Sequence, residues 1–308
     1  MTISDPSPAA RDTQRALLLM TASALLFGGM AFAAKLASRG LSGSEVALIR
    51  FVTGLLPALL VPRFRASAFT FKRLDLLFYR GLFGGSAVLC YFIAIEKISV
   101  GVATLLNYTS PLFSGILSVL FLRERISSKV LIPMPVALAG VYLVVRANAR
   151  PGDVLGFGIW ELVGLCSGIL SGAAVTAMRA ARKGENSWAV YTSFCLFGTL
   201  LTAPLAVATW KNPTAAEWFY LAATSLFAIG AQLLLTFSLR WVDAMTVGVI
   251  SQLAVVVSMA LGATLIGETI SATAALGAVL TIGGVVGVVY VTSLAKRTVA
   301  ADEVAPEA

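Results

Sequence analysis

Leu122-Arg123-Glu124-Arg125-Ile126-Ser127 returns later in the chain as Ile266-Gly267-Glu268-Thr269-Ile270-Ser271, an offset of 144 residues between Glu124 and Glu268. The same ungapped shift carries Ala139-Gly140-Val141 onto Gly283-Gly284-Val285, Phe27-Gly28-Gly29 onto Ser171-Gly172-Ala173, and Lys35 onto Arg179. Residue identity between the two copies is low. The boundaries of the apolar runs agree throughout, however, which is the mark of an internal duplication.

Those runs decide the class of fold. Hydrophobic residues make up 58% of the 308 and charged residues 12%, against about 45–50% and about 25% in ordinary globular domains. The mean hydropathy is +0.89. A soluble domain would have to leave much of that apolar surface in water. The runs are continuous rather than alternating, so they read as bilayer-spanning helices and not barrel strands. Each approaches the roughly 20 residues a crossing needs, near 15–36, 44–62, 74–95, 100–122, 128–146, 155–178, 188–209, 216–239, 244–266 and 271–294. The expectation is an all-α membrane protein of ten helices, with one repeat over 14–146 and the other over 155–294, enclosing a central cavity. The polar ends, 1–13 and 297–308, are expected to be disordered cytoplasmic tails. Arg11 and Arg15 ahead of an apolar run ending in Ala31-Phe32-Ala33-Ala34 also admit a cleaved signal peptide, but the repeat requires this run as its first helix.

An even number of spans puts both termini on one side. With the N-terminus inside, the cytoplasmic segments hold Arg63, Arg65, Lys72, Arg73, Arg123, Arg125, Lys129, Arg179, Arg182 and Lys183 among others. The outer loops hold only Lys35, Arg39, Lys97, Arg146, Arg150 and Lys211. The positive-inside rule then places both termini in the cytoplasm. This bias accounts for most of the net charge of +8 without nucleic acid as a partner. Five spans per repeat is odd, so the second copy enters from the opposite face. The loop with Arg123, Arg125 and Lys129 accordingly matches one whose sole charge is Glu268. Inverted repeats of this kind recur in secondary transporters and permit alternating access.

Several function classes are disfavoured. There is no histidine, the commonest general base and metal ligand. Cys90, Cys166 and Cys195 are scattered through apolar runs without metal-ligand spacing. No acid lies at mid-depth and no G-x-x-x-x-G-K-[ST] loop is present, so neither an intramembrane enzyme nor ATP-driven pumping by this chain is supported. No cofactor, metal or ATPase partner is expected.

Leu26-Phe27-Gly28, Lys35-Leu36, Gly40-Leu41-Ser42, Glu45 and Arg50-Phe51, followed by Ser110-Pro111-Leu112-Phe113 and Leu120-Phe121-Leu122-Arg123-Glu124-Arg125-Ile126, resemble the pattern of EamA-type transporters. Those belong to the drug/metabolite transporter superfamily, and the likeness is greatest to bacterial YddG-like amino-acid exporters. The resemblance implies ten helices in two inverted halves and export of small organic solutes. It departs at Val255, which stands where the first half has Pro111, so the two halves are expected to bend differently.

Sites in such folds lie near the midplane at the repeat interface, on broken helices. Pro111 cannot donate to the carbonyl of Asn107, leaving that carbonyl free beside the Asn107 amide and the Tyr108 phenol. The repeat mates of this pair are Ser251 and Gln252. Two readings stand for these four: solute contact, or interhelical hydrogen bonding worth about 0.6–2 kcal/mol each. Tyr79 and Phe83 share a helix face and either stack on cargo or meet lipid. Trp160 is an interfacial ring or a gate, and Gln232 faces the pore or bridges helices. Arg50 and Arg80 lie one to two turns inside their spans and can snorkel; Arg50 can otherwise pair with a cargo carboxylate. Lys35 snorkels or faces the cavity, while Glu124 and Glu268 are placed to stabilise helix starts. The spacing of Gly164, Gly168 and Gly172, of Gly81 and Gly85, and of Gly283 and Gly287 suits close helix packing. Gly28, Gly29, Pro111 and Gly172 are candidate hinges. The expected function is inner-membrane export of small amphipathic solutes, amino acids foremost, by a monomer whose two halves rock. A multidrug or other metabolite carrier and a passive membrane scaffold are the alternatives.

Overall fold

The computed structural model describes residues 8–122, 132–147, 158–181, 184–238 and 244–304. Glu124, Arg123, Arg125, Lys129 and Arg182 lie outside the described residues, as do both extreme termini. In chain order the helices are α1 (Pro8–Ala37), α2 (Gly43–Leu60), α3 (Pro62–Ala68), α4 (Leu74–Lys97), α5 (Val100–Asn107), α6 (Ser110–Leu122), α7 (Pro133–Ala147), α8 (Ile159–Ala181), α9 (Ser187–Ala208), α10 (Ala215–Ser238), α11 (Ala244–Ser251), α12 (Leu253–Leu265) and α13 (Ala272–Val304). Among the described residues, 9 segments are long and apolar enough to cross a bilayer, and α7 is a shorter apolar helix of 15 residues. With α7 as the fifth span, the chain is the ten-helix, two-repeat bundle read from the sequence.

Three local features differ from the sequence reading. The tails are not wholly irregular, since α1 already starts at Pro8 and α13 runs to Val304. Proline suits the first position of a helix, and Ala and Arg carry it onward. The loop after α2 folds as α3, again opened by a proline, Pro62. Finally, both halves break at matched positions although only one has the proline. The fourth span divides at Tyr108-Thr109 and the ninth at Gln252. In the second half the break is a tight turn in which the Gln252 N–H bonds Val249 O at 3.1 Å and the Val255 N–H bonds Gln252 O at 3.1 Å. Val255 therefore does not keep the second half straight.

Packing runs mainly between the repeats. α1 lies along α10, and the corresponding pair, α4 and α8, lies together in the same way. α2 crosses α9, and α7 crosses α13. Small residues make these approaches possible. A Cβ on Gly28 would meet Val257 Cγ1 at 2.6 Å, and one on Gly172, its repeat mate, would meet Phe113 Cβ at 2.8 Å. Val257 and Phe113 are themselves repeat mates. Helix α1 runs unbroken through Gly28 and Gly29, as α8 does through Gly172, so the structure uses Gly28 and Gly172 as packing contacts rather than bends. The break near Pro111 is the one candidate hinge of the four at which a helix is interrupted.

The ends are stitched by acids. Ser42 and Glu45 form a capping box at the start of α2, and the other oxygen of Glu45 accepts the Lys211 N–H at 2.6 Å. At the opposite end Glu185 accepts the backbone N–H groups of Lys72, at 2.6 Å, and of Arg73. Each carboxylate thus joins one repeat to the other.

Candidate functional site

Two residues touch their own repeat mates. Gln252 Nε2 donates to the carbonyl of Tyr108 at 3.4 Å, across 144 positions of chain. The Arg50 guanidinium lies 5.8 Å from the ring of Phe194, also 144 positions away. A residue in contact with its own mate must lie beside the two-fold axis relating the repeats. In an inverted repeat that axis runs in the membrane plane, so both contacts mark mid-depth. The broken helices and Arg50 are therefore parts of one central locus.

Arg50 is half-buried and surrounded by rings, with its Cζ 5.5 Å from Phe51, 5.9 Å from Phe92 and 5.8 Å from Phe194. Arg80 joins it from α4, 4.3 Å above the same Phe194 ring. A Cβ at Gly84 would sit 2.0 Å from Arg80 Nη1. The missing side chain therefore lets Arg80 fold one turn deeper into the bundle. Both guanidinium groups thus lie against the Phe194 ring. The Nε of each is buried without a hydrogen-bond partner, and among the described residues no carboxylate pairs with either. An arginine at mid-depth costs about 2.5–3.5 kcal/mol on insertion scales, and each ring returns about 0.5–2 kcal/mol. The rings offset much of the cost of placing the cations and leave their charge uncompensated. Beside Arg50 lies a cavity of about 10 Å³ that Tyr191, Phe194, Cys195 and Gln232 help to line, room for a single water. The chamber is closed down in this conformation.

The remaining sequence candidates divide. Gln232 faces the chamber. Asn107 Nδ2 donates to Ser167 Oγ at 3.1 Å and Ser171 Oγ at 3.2 Å, so its amide bridges α5 to α8. Ser251 ends α11 beside the second break. Tyr79 stacks on Phe83 at 6.1 Å and is 49% exposed, outside the group formed by Arg50, Arg80 and Phe194. Trp160 lies at the start of α8 with Lys97 Nζ 5.5 Å from its ring.

Lys35 does something the sequence did not suggest. It donates to the carbonyls of Ile95 at 2.8 Å and Ile98 at 2.6 Å, capping the end of α4, and lies 3.7 Å from Glu268. Glu268 accepts the Val100 N–H at 3.1 and 3.0 Å, so the helix start it stabilises is that of α5 in the other repeat and not its own α13. Burial raises the Glu268 carboxyl above its ordinary range. These groups line a vestibule of about 300 Å³ at one end of the bundle with Lys97, Ser99 and Glu161.

Sequence reasoning missed Phe194 and Tyr191. Applying the repeat offset to Arg50 would have pointed to Phe194; nothing comparable marks Tyr191, whose place depends on how α2 crosses α9. The EamA-like transporter family matches residues 14–146 and 158–290. The pseudopaline exporter CntI of Pseudomonas aeruginosa (strain UCBPP-PA14) is 28% identical over 221 residues, 71% of this chain and 76% of that one. An uncharacterized transporter of Helicobacter pylori (strain J99) is 30% identical over 181 residues, 58% of this chain and 59% of its own. A protein of known crystal structure, 21% identical, superposes with a TM-score of 0.62 over 92% of this chain and 97% of its own, a likeness of fold alone.

Proposed function

The chain belongs to the EamA-like transporter family, and from that premise we propose that it exports small amphipathic solutes, amino acids or related metabolites, across the bacterial inner membrane. One observation carries the reading: both interrupted helices meet at mid-depth through Tyr108 and Gln252, the position at which inverted-repeat carriers hold their solutes. The name of the Pseudomonas relative, a pseudopaline exporter, supports the direction of transport. Amino acids are the cargo expected from the resemblance to YddG-like exporters. Both termini lie in the cytoplasm in this reading, supported by Arg63, Arg65, Lys72 and Arg73 in one loop against Lys211 alone in its counterpart. The Lys35–Glu268 vestibule is then periplasmic.

The bodies that move are composite. Because α1 packs on α10 and α4 on α8, rocking one intact repeat against the other would tear the principal interfaces. Motion of α1, α10 and α12 as one unit against α4, α6 and α8 preserves them and exchanges under the repeat symmetry. Each closure exposes the chamber to one face only. Counterflow in proteoliposomes with labelled amino acids tests the function: saturable exchange supports it, and solute-independent leakage with every substrate favours a scaffold. Impermeant labelling of single cysteines near Arg73 and near Lys211 tests the sidedness.

A further inference from the structure

Two guanidinium groups share one aromatic ring at the centre of this bundle, and no carboxylate accompanies them among the described residues. Arg50 reaches Phe194 from α2 at 5.8 Å and Arg80 reaches it from α4 at 4.3 Å. Their Nε atoms are buried and unbonded. Buried charges in proteins are paired or compensated, and an ionisable group within a membrane span is by default a functional one. Arg80 has also been turned inward deliberately: Gly84 vacates the space its Nη1 occupies, when extension toward the nearer end of α4 would have given it water. The missing counterpart is an anion, and the small cavity beside Arg50, Tyr191, Phe194 and Gln232 is where it would enter.

The geometry points to Arg50 and Arg80 as a two-cation site for the carboxylates of the cargo, with Phe194 as a platform for an adjoining apolar group. This rests on the transport reading and narrows it, since the preferred solute is an amphipathic dicarboxylate rather than a neutral or cationic amine. Guanidinium groups bind carboxylates through paired charge-assisted bonds. Tyr191 and Gln232 add neutral hydrogen-bonding groups at the same wall. The rings hold the two cations in place while the chamber is closed.

The test uses three probes on one scaffold: N-(carboxymethyl)phenylalanine with two carboxylates, phenylalanine with one, and phenethylamine with none. Binding of each to the full-length protein in nanodiscs is read by the shift in thermal unfolding, and transport by counterflow in proteoliposomes. The expected order is dicarboxylate, then monocarboxylate, then amine, with about tenfold between steps. Arg50→Gln or Arg80→Gln is expected to remove one step of that ladder, and Arg50→Lys to restore part of it. Equal binding of amine and dicarboxylate to the wild-type protein overturns the site and requires no variant to fold. So does full retention of the preference in folded Arg50→Gln and Arg80→Gln, or equal stabilisation by chloride. Binding in the expected order without any flux instead overturns the transport reading and leaves the anion site standing.

Discussion

Gln252 and Tyr108 are the same position in the two repeats, and they touch: the side-chain amide of one donates to the backbone carbonyl of the other at 3.4 Å. The contact is long for a hydrogen bond, as suits a junction that must part when the chamber opens. Replacing Gln252 with Ala leaves the carbonyl at the first break without this donor. Thermal unfolding is expected to register about 1 kcal/mol, and counterflow should fall several-fold because the break is no longer held in register. Unchanged flux in a stable Gln252→Ala protein would separate the contact from transport.

Asn107 has two partners on α8, so its main contribution is cohesion. Asn107→Ala is expected to cost about 1–2 kcal/mol. In a double-mutant cycle with Ser167→Ala and Ser171→Ala, most of that cost should prove shared. Additive losses would show that the amide acts elsewhere, on solute.

Neighbouring glycines give an internal control. A Cβ at Gly284 would lie 2.4 Å from Ala137 N, in the α7–α13 crossing, while one at Gly283 would have nothing within 4 Å. Gly284→Ala should destabilise by about 1–3 kcal/mol through backbone displacement, and Gly283→Ala should be neutral or slightly stabilising. The comparison is read by thermal unfolding in one detergent.

Lys35 and Glu268 are each bound to a helix end as well as to each other. Lys35 faces the carbonyls that close α4, and Glu268 faces the amide that opens α5. Reversing both charges with Lys35→Glu and Glu268→Lys keeps the ion pair but sets each charge against the wrong end of a helix. The double reversal should therefore fail to rescue the single variants in counterflow. Rescue would mean that the pair alone matters.

Acidity should bias this end toward closure. Burial lifts the Glu268 carboxyl while Lys35 and Arg39 pull it back, and Lys97 and Glu161 face the same vestibule. When an opening motion returns Glu268 to water, its affinity for protons falls to the ordinary one, so the closed form is the better proton binder. Its advantage grows as pH falls through the raised value and levels off below the usual range, near about 4.3; it is absent at high pH. Labelling of Thr269→Cys by an impermeant thiol reagent, in a background without the native cysteines, should slow on acidification relative to Asn212→Cys in an exposed loop at the same end.

Much of this architecture is legible in the chain itself, because lipid imposes length and apolarity on every span and duplication writes each span twice. The break at Asn107 and Tyr108 follows from Pro111, and the offset transfers it to Ser251 and Gln252 even though Val255 replaces the proline. What stayed hidden depends on the third dimension. Arg80 points inward only because Gly84, on its own helix, leaves room, and a sequence window treats that glycine as one more packing residue. Glu268 precedes α13 in the chain, yet in space it meets the start of α5. Spacing along one helix could not distinguish Tyr79, on an exposed face, from Arg80 beside it.

The interlocking of the repeats also has a temporal consequence. The first five spans leave the ribosome before α8, α9 and α10 exist, and those later helices are the ones α1, α2 and α4 pack against. During synthesis the early half must wait in lipid with its glycine-lined seams and two inward arginines unsheltered. The insertion machinery then has to shield that half until its complement arrives.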